Sequence, residues 1–210
     1  MIDTFIFDFD GTLIDSLPTI YRAVESVIRE LKLPAISKEN VKALMGMSFE
    51  ASFTKAYPDH LDKLEEARGL YDKIVLSKLK QDKLFKSTLK ILDAIRQRNF
   101  KIGIATTNSR RILGILLSHY KIEVDALVAS DDTKETRPNP KPLLLALKML
   151  GSRPENALYV GDDPLDAVQG KNAGIKTCIL LTSHKKEDFE TAPDYFFENI
   201  DDLLTIVEAI

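Results

Sequence analysis

The hydrophobic pattern changes near the start of the chain from a strand-like apolar run to apolar residues at helical spacing. Thr4 to Phe9 form a short run of aromatic and branched apolar residues, which is typical of a buried strand. From Ser16 the apolar positions recur at helical spacing as far as Leu31, and Pro34 ends that helix. Further helical patterns cover Asn40–Leu44, Phe49–Tyr57 and a stretch from Pro58 to about Lys80. Because this block shows no convincing strand, the pattern predicts a helical insertion over 16–83.

Strands and helices alternate after the insertion. The predicted strands are Lys101–Thr106, Ala126–Ala129, Ala157–Val160, Ile175–Leu180 and Tyr195–Phe197. The predicted helices are Thr88–Gln97, Ser109–Tyr120, Pro142–Leu150, Pro164–Asn172 and Asp201–Glu208. Such alternation predicts an α/β fold with a doubly wound, parallel, Rossmann-like sheet. We therefore expect one core domain formed by 1–15 and 84–210, and an inserted all-α domain at 16–83.

Composition narrows the class of protein. The 210 residues carry a formal net charge of −3, which argues against a nucleic-acid partner. The single cysteine, Cys178, excludes an internal disulfide and a cysteine-based zinc cluster, and it fits a small core residue. His60, His119 and His184 lie in polar contexts and are expected at the surface. Without a signal peptide pattern or an apolar run near ~20 residues, we expect a cytoplasmic protein with no membrane partner.

Two carboxylates follow the first predicted strand. Asp8 and Asp10 have the same strand parity, so they can project to one side, ~7 Å apart at Cα. Carboxylates that close repel each other unless a positive group lies between them, and a hard divalent cation is the usual partner. The alternative is a hairpin turn at Asp10-Gly11. A hairpin needs a second strand, whereas the helical pattern begins at Ser16, so the sequence favours a metal and nucleophile site.

Polar residues also follow the other predicted strands. They are Thr106, Thr107 and Asn108 after the second strand, Lys134 and Arg137 after the third, and Asp162, Asp163 and Asp166 after the fourth. Taken singly, each group could be a helix cap, a turn or a solvated loop. In a parallel sheet, however, the carboxyl ends of the strands converge at the ligand site. Carboxylates, hydroxyls and a cation at one edge are residue types that suit phosphoryl chemistry.

Four segments resemble the motifs of the haloacid-dehalogenase-like superfamily of phosphatases. Asp8-Phe9-Asp10-Gly11-Thr12 is similar to its first motif, and Ile104-Ala105-Thr106 resembles the second. Arg137-Pro138-Asn139-Pro140 resembles the third, in which most relatives have Lys-Pro, and Gly161-Asp162-Asp163-Pro164-Leu165-Asp166 resembles the fourth. The helical block between motifs one and two is similar to the small cap of the phosphoglycolate-phosphatase-like branch.

The resemblance implies a role for each matching residue. Asp8 would be the nucleophile that forms an aspartyl-phosphate, and Asp10 the general acid and base. Mg²⁺ would be held by the Asp8 carboxylate, the Asp10 backbone carbonyl and Asp162, with Asp166 supporting from close by. Phosphoryl oxygens would be bound by Thr106, Thr107 and Arg137, with Lys134 as the rival cation.

The expected activity is hydrolysis of a small phosphorylated metabolite by a monomer or homodimer. A sugar-phosphate mutase of the same superfamily is the nearest alternative. Such mutases resemble this chain at Gly46-Met47-Ser48 but usually place Arg next, where this sequence has Phe49. A non-catalytic phospho-receiver or interaction domain is the alternative from another class. Receiver domains have no helical cap and carry their acceptor aspartate further along the chain.

Overall fold

The computed structural model of the chain describes residues 1–78 and 82–209. These residues fold as two compact units, one formed by Met1–Asp15 with Leu84–Ile210 and the other by Ser16–Lys83. Among the described residues, no helix is both long and apolar enough to cross a membrane.

The elements are numbered here in chain order. The strands are β1 (Thr4–Phe7), β2 (Ile14–Asp15), β3 (Lys83–Leu84), β4 (Lys101–Ala105), β5 (Ala126–Val128), β6 (Ala157–Gly161), β7 (Lys176–Leu180) and β8 (Tyr195–Phe197). The helices are α1 (Leu17–Glu30), α2 (Lys38–Leu44), α3 (Phe49–Ala56), α4 (Leu64–Lys78), α5 (Thr88–Gln97), α6 (Arg110–Tyr120), α7 (Lys141–Leu150), α8 (Pro164–Ala173) and α9 (Leu203–Ala209). Short 3₁₀ turns cover Pro58–Lys63, Pro154–Asn156, Lys186–Asp188 and Ile200–Asp202.

A six-stranded parallel sheet forms the centre of the larger unit, in the order β5-β4-β1-β6-β7-β8. The chain runs outward from β1 through β4 to β5, then returns to β6 beside β1 and continues to β8. Because parallel crossovers are right-handed, this reversal places helices on both faces of the sheet. The predicted doubly wound parallel core is therefore confirmed.

Burial on both faces explains why these strands are almost continuously apolar. All four residues of β1 are buried, and so are all five of β6. The helices α7 and α8 pack on each other and on the sheet, whereas α5 packs against α9 and β4. Cys178 is fully buried in β7, as the sequence predicts.

The smaller unit is helical and has a hydrophobic cluster of its own. Its buried members are Val27, Leu33, Phe53, Tyr57 and Ala67. The ring of Phe53 lies 5.3 Å from that of Tyr57 and 6.0 Å from that of Phe49, centroid to centroid. Aromatic pairs at such spacing supply much of the apolar area of a small core.

Most element boundaries shift by one or two residues from the predictions, the short strands β2 and β3 are absent from the predictions, and two predicted helices begin as 3₁₀ turns. The stretch from Pro58 begins as a 3₁₀ turn, in which His60 departs from helical angles, and α4 starts only at Leu64. The predicted end of that stretch near Lys80 lies outside the described residues. The final helix likewise starts after a 3₁₀ turn at Ile200–Asp202. At the second turn the Asp202 side chain accepts from the Asn199 N–H at 3.1 Å, whereas no side chain caps the turn that begins at Pro58.

The close packing of α8 on β7 gives a stability prediction. A Cβ at Gly170 would collide with the Thr177 side chain, and the Thr177 hydroxyl accepts a 3.4 Å hydrogen bond from the Asp194 N–H, which holds its rotamer. Gly170→Ala should therefore lower the free energy of unfolding by about 1–3 kcal/mol.

Gly114 is the matched control, because it lies in α6 and a Cβ added to it would meet no atom within 4 Å. Gly114→Ala should raise the free energy of unfolding by up to about 1 kcal/mol, since alanine is the better helix former. Urea denaturation of both variants measures the difference. Equal effects of the two substitutions would contradict this packing argument.

Candidate active site

Strand register brings three predicted site segments to one edge of the sheet. Phe7, the last residue of β1, pairs with Ile104 on one side and with Val160 on the other. Asp8 continues the pattern, because its N–H donates to the Val160 carbonyl at 2.9 Å. The three neighbouring strands therefore end within two residues of the same level, and the residues that follow them are Asp8, Thr106 and Asp162.

A buried ion-pair cluster lies at this edge. Arg137 Nη1 donates to Asp8 Oδ2 at 2.9 Å and to Asp166 Oδ1 at 2.5 Å. The three side chains are 8%, 3% and 0% exposed respectively, so solvent screens their charges weakly. Tyr159 donates its hydroxyl proton to the same Asp166 oxygen at 2.7 Å.

The start of α8 fixes the fourth-motif aspartates. Asp163 caps the helix by accepting from the Leu165 N–H at 2.8 Å. Asp166 Oδ2 accepts in return from the N–H groups of Asp162 and Asp163, both at 3.1 Å. Such a reciprocal arrangement is a capping box, and it orders the backbone that carries the Asp162 carboxylate.

The turn after Asp10 is shaped by Gly11. This residue has φ +77°, and a Cβ at this position would collide with the Asp162 carboxylate. Glycine is required both for the left-handed angle and for the close approach. The next residue, Thr12, donates its hydroxyl to Asp162 Oδ1 at 2.9 Å.

Asp10 lies in a different environment from Asp8. It is half-buried, and its carboxylate accepts a hydrogen bond from the Asn108 side-chain amide. The Asn108 backbone N–H donates to Thr106 Oγ1 at 3.3 Å. Asp8 thus pairs with Arg137, whereas Asp10 accepts from Asn108.

Thr106, Thr107 and Arg137 line one pocket that is open to solvent. The rival cation, Lys134, is an exposed residue of the same loop. The three residues predicted to bind phosphoryl oxygens are thus brought together, and their role stays a prediction.

Three carboxylates could hold a metal ion. Asp8, Asp162 and Asp166 are buried, and their ligand oxygens all lie within 4.8 Å of one another. Burial raises the pKa of Asp8 to about 7, against the favourable charge of Arg137 and with the repulsion of Asp166. The pKa of Asp162 is raised well above its ordinary value, first by burial and then by the negative charges of Asp166 and Asp8. One guanidinium does not neutralise three carboxylates, so this donor set fits a divalent cation.

The guanidinium is held in its charged form by the same carboxylates. Burial alone would lower the pKa of Arg137, but the negative charges of Asp166 and then Asp8 keep that pKa well above its usual value. Burial likewise disfavours charge on Asp163, yet the hydrogen bond from His184 and the charge of Arg137 hold the pKa of Asp163 below its ordinary value.

Sequence reasoning missed some of the polar contacts at this edge. Tyr159 contacts Asp166, and Ser183 contacts Asp162. Neither Tyr159 nor Ser183 is among the predicted site residues. Ser183 follows the end of β7, so the rule that polar residues converge at strand ends would have found it. The surface prediction for His184 is wrong, because its side chain is only 13% exposed and its Nε2 lies 3.5 Å from Asp163 Oδ2.

A doubly wound sheet with acidic groups at its carboxyl edge defines a class of α/β proteins that bind their ligands at that edge. The haloacid dehalogenase-like hydrolase family matches residues 5–180, and the chain therefore belongs to this family. The pyrophosphatase PpaX of Bacillus pumilus (strain SAFR-032) is 31% identical over 212 residues, which cover 99% of this chain and 97% of that protein.

Solved structures agree in fold. A Bacteroides fragilis protein assigned to the haloacid dehalogenase-like hydrolases superposes with a TM-score of 0.87 at 28% identity, covering 97% of this chain and 100% of its own. A Lactobacillus plantarum protein assigned to the phosphoglycolate phosphatases has a TM-score of 0.84 at 21% identity, covering 98% of this chain and 100% of its own. The predicted superfamily is confirmed, and the PpaX relative, which is named a pyrophosphatase, supports the predicted phosphatase class.

The raised pKa of Asp8 predicts how the stability of the metal-free protein varies with pH. A folded-state pKa of about 7, against an ordinary 3.8, means that folding favours the protonated form. The associated stability is present below about pH 4 and is lost as pH rises through about 7. Asp8→Asn has no group to titrate, so its loss of stability between pH 5 and pH 8 should be smaller than in the wild type.

Urea unfolding in a chelator at the two pH values measures this difference. Asp93→Asn is the control, because the Asp93 side chain is 67% exposed and lies outside the cluster. Identical pH dependence in the wild type and in Asp8→Asn would contradict the argument.

Proposed function

We propose that this protein is a Mg²⁺-dependent phosphomonoester hydrolase that acts on a small phosphorylated metabolite through an aspartyl-phosphate. The observation that carries the proposal is the buried cluster of Asp8, Arg137 and Asp166 beside Asp162. Such a cluster offers a nucleophile, a fixed positive charge and oxygen ligands at one edge of the sheet. Phosphoryl transfer depends mainly on positioning and on stabilisation of charge, and these three elements supply both.

The cation would be held by Asp8, Asp162 and the Asp10 backbone carbonyl, with Asp166 close by. When bound, Mg²⁺ would neutralise charge that develops on the phosphoryl oxygens. Arg137 and the Thr106 and Thr107 hydroxyls supply donors to the same oxygens.

The reaction would proceed in two steps on the side chains of this chain. In the first, an Asp8 oxygen bonds to phosphorus, the bond to the leaving oxygen breaks, and Asp10 gives its proton to that oxygen. In the second, Asp10 takes a proton from water, the water oxygen bonds to phosphorus, and the bond to Asp8 breaks. Asn108 donates to the Asp10 carboxylate and so orients it for both proton transfers.

The helical unit, Ser16–Lys83, is proposed as the cap domain that selects the substrate. The PpaX relatives are named pyrophosphatases, which makes inorganic pyrophosphate a necessary member of any substrate panel. The mutase alternative predicts transfer of the phosphoryl group to a second position of a sugar, and ³¹P NMR of the products distinguishes the two reactions. Membership of a hydrolase family gives no support to the receiver-domain alternative.

The direct test is Asp8→Asn. The wild type should release phosphate from phosphomonoesters or pyrophosphate with Mg²⁺ and stop in a chelator. Asp8→Asn should lose roughly 10⁴-fold or more in kcat, the scale seen when a nucleophile is removed. Asp93→Asn, the same change at an exposed position, should retain full activity. Turnover by Asp8→Asn at the wild-type rate would overturn the proposal.

A second test separates Arg137 from Lys134. Arg137→Ala should lower kcat by about 10²–10³-fold, because a preorganised donor to the transition state is removed. Arg137→Lys should recover much of that loss, since the charge is kept. Lys134→Ala should be nearly silent, because that side chain is exposed. A near-silent Arg137→Ala beside an inactive Lys134→Ala would show that the cation has been assigned to the wrong residue.

A further inference from the structure

Three consecutive polar side chains follow β7 and contact the first and fourth motifs. Thr182 donates its hydroxyl to the Gly11 carbonyl at 2.6 Å. Ser183 donates its hydroxyl to Asp162 Oδ2 at 2.5 Å and lies 3.3 Å from the Asp162 carbonyl. His184 Nε2 lies 3.5 Å from Asp163 Oδ2. We call residues 182–184 the β7 loop; none of them belongs to the four motifs.

The Asp162 carboxylate is enclosed on several sides. Thr12 donates to Oδ1 and Ser183 to Oδ2, so each oxygen has a hydroxyl partner. Gly11 lies so close to the carboxyl group that any Cβ would collide with it. A side chain held at both oxygens and packed against backbone has little freedom to rotate.

The two hydroxyl contacts leave room for a cation. An ionised carboxylate has about four acceptor positions, and two hydroxyl donors occupy two of them. Ser183 and Thr12 thus fix the orientation of the Asp162 carboxylate and leave acceptor positions for a metal.

We propose that Ser183 is a positioning residue whose hydroxyl sets the orientation of the Asp162 carboxylate and thereby the affinity of the site for its divalent cation. The inference rests on the proposed function, because it requires that Asp162 bind the metal. Ser183 would act on the cation through Asp162, because its hydroxyl contacts that carboxylate. Loss of a hydrogen-bond partner behind a metal ligand typically weakens metal binding by about 10–100-fold.

The test is the Mg²⁺ dissociation constant, measured by isothermal titration calorimetry without substrate. Ser183→Ala should raise it by about 10–100-fold. Ser183→Thr and Ser183→Val form a matched pair, because they differ only in a hydroxyl against a methyl group. The threonine variant should bind Mg²⁺ nearly as well as the wild type, and the valine variant as weakly as Ser183→Ala.

Thr205→Ala is the control for loss of a hydroxyl elsewhere in the unit. The Thr205 hydroxyl donates to the Asp202 carbonyl at 2.6 Å at the start of α9, and it is exposed. Its removal should leave the Mg²⁺ dissociation constant unchanged. In kinetics, Ser183→Ala should need more Mg²⁺ for half-maximal rate and should recover most of kcat when Mg²⁺ is saturating.

Two failures can be told apart. If the wild type does not bind Mg²⁺, or if Asp162→Asn binds it normally, the metal site of the proposed function is wrong and this inference falls with it. If the wild type binds Mg²⁺ and Asp162→Asn does not, while Ser183→Ala binds it with wild-type affinity, only the role of Ser183 is overturned. Equal weakening in the threonine and valine variants would also overturn it, because shape and not the hydroxyl would then be responsible.

Discussion

Repulsion among three buried carboxylates is the constraint on which this site depends. Asp8, Asp162 and Asp166 have ligand oxygens within 4.8 Å of one another, and all three are buried. Such a cluster is stable only where positive charge and hydrogen-bond donors offset the loss of hydration. Arg137 supplies the charge to two of its members, whereas hydroxyl groups serve Asp162. The packing around these groups holds the negative charge at one edge of the sheet.

Topology explains why the cluster forms there. The strand β1 lies between β4 and β6, so residues that follow all three strands emerge side by side. Asp166 connects the cluster to the fold, because one oxygen accepts from the α8 cap and the other from Arg137 and Tyr159. A change at the start of α8 would therefore affect the backbone, the ion pair and the position of Asp162 together. The stability of the helix end and the geometry of the site are not independent.

The sequence predicts the fold well because each element has a clear period and a clear stop. It predicts the site residues through their place after strands, a rule that extends to Ser183 although that residue is not among those predicted. Parity placed Asp8 and Asp10 on one side, but it could not show that Asp8 pairs with Arg137 while Asp10 meets Asn108. That difference arises from loops distant in sequence, which carry no periodic signal. The same holds for His184, whose polar neighbours along the chain gave no sign of its contact with Asp163.

The carboxylates of the site differ in whether a positive group already contacts them. The guanidinium of Arg137 is shared between Asp8 and Asp166, and its charge is fixed because its pKa is held well above the usual value. Asp162, by contrast, accepts from the neutral hydroxyls of Thr12 and Ser183, and its pKa is raised well above normal by burial and by its acidic neighbours. Asp162 therefore has a demand for positive charge that these neutral hydroxyls do not meet. A divalent cation would satisfy that demand, while Arg137 would still be required at Asp8. The two positive charges would thus serve different carboxylates of the cluster.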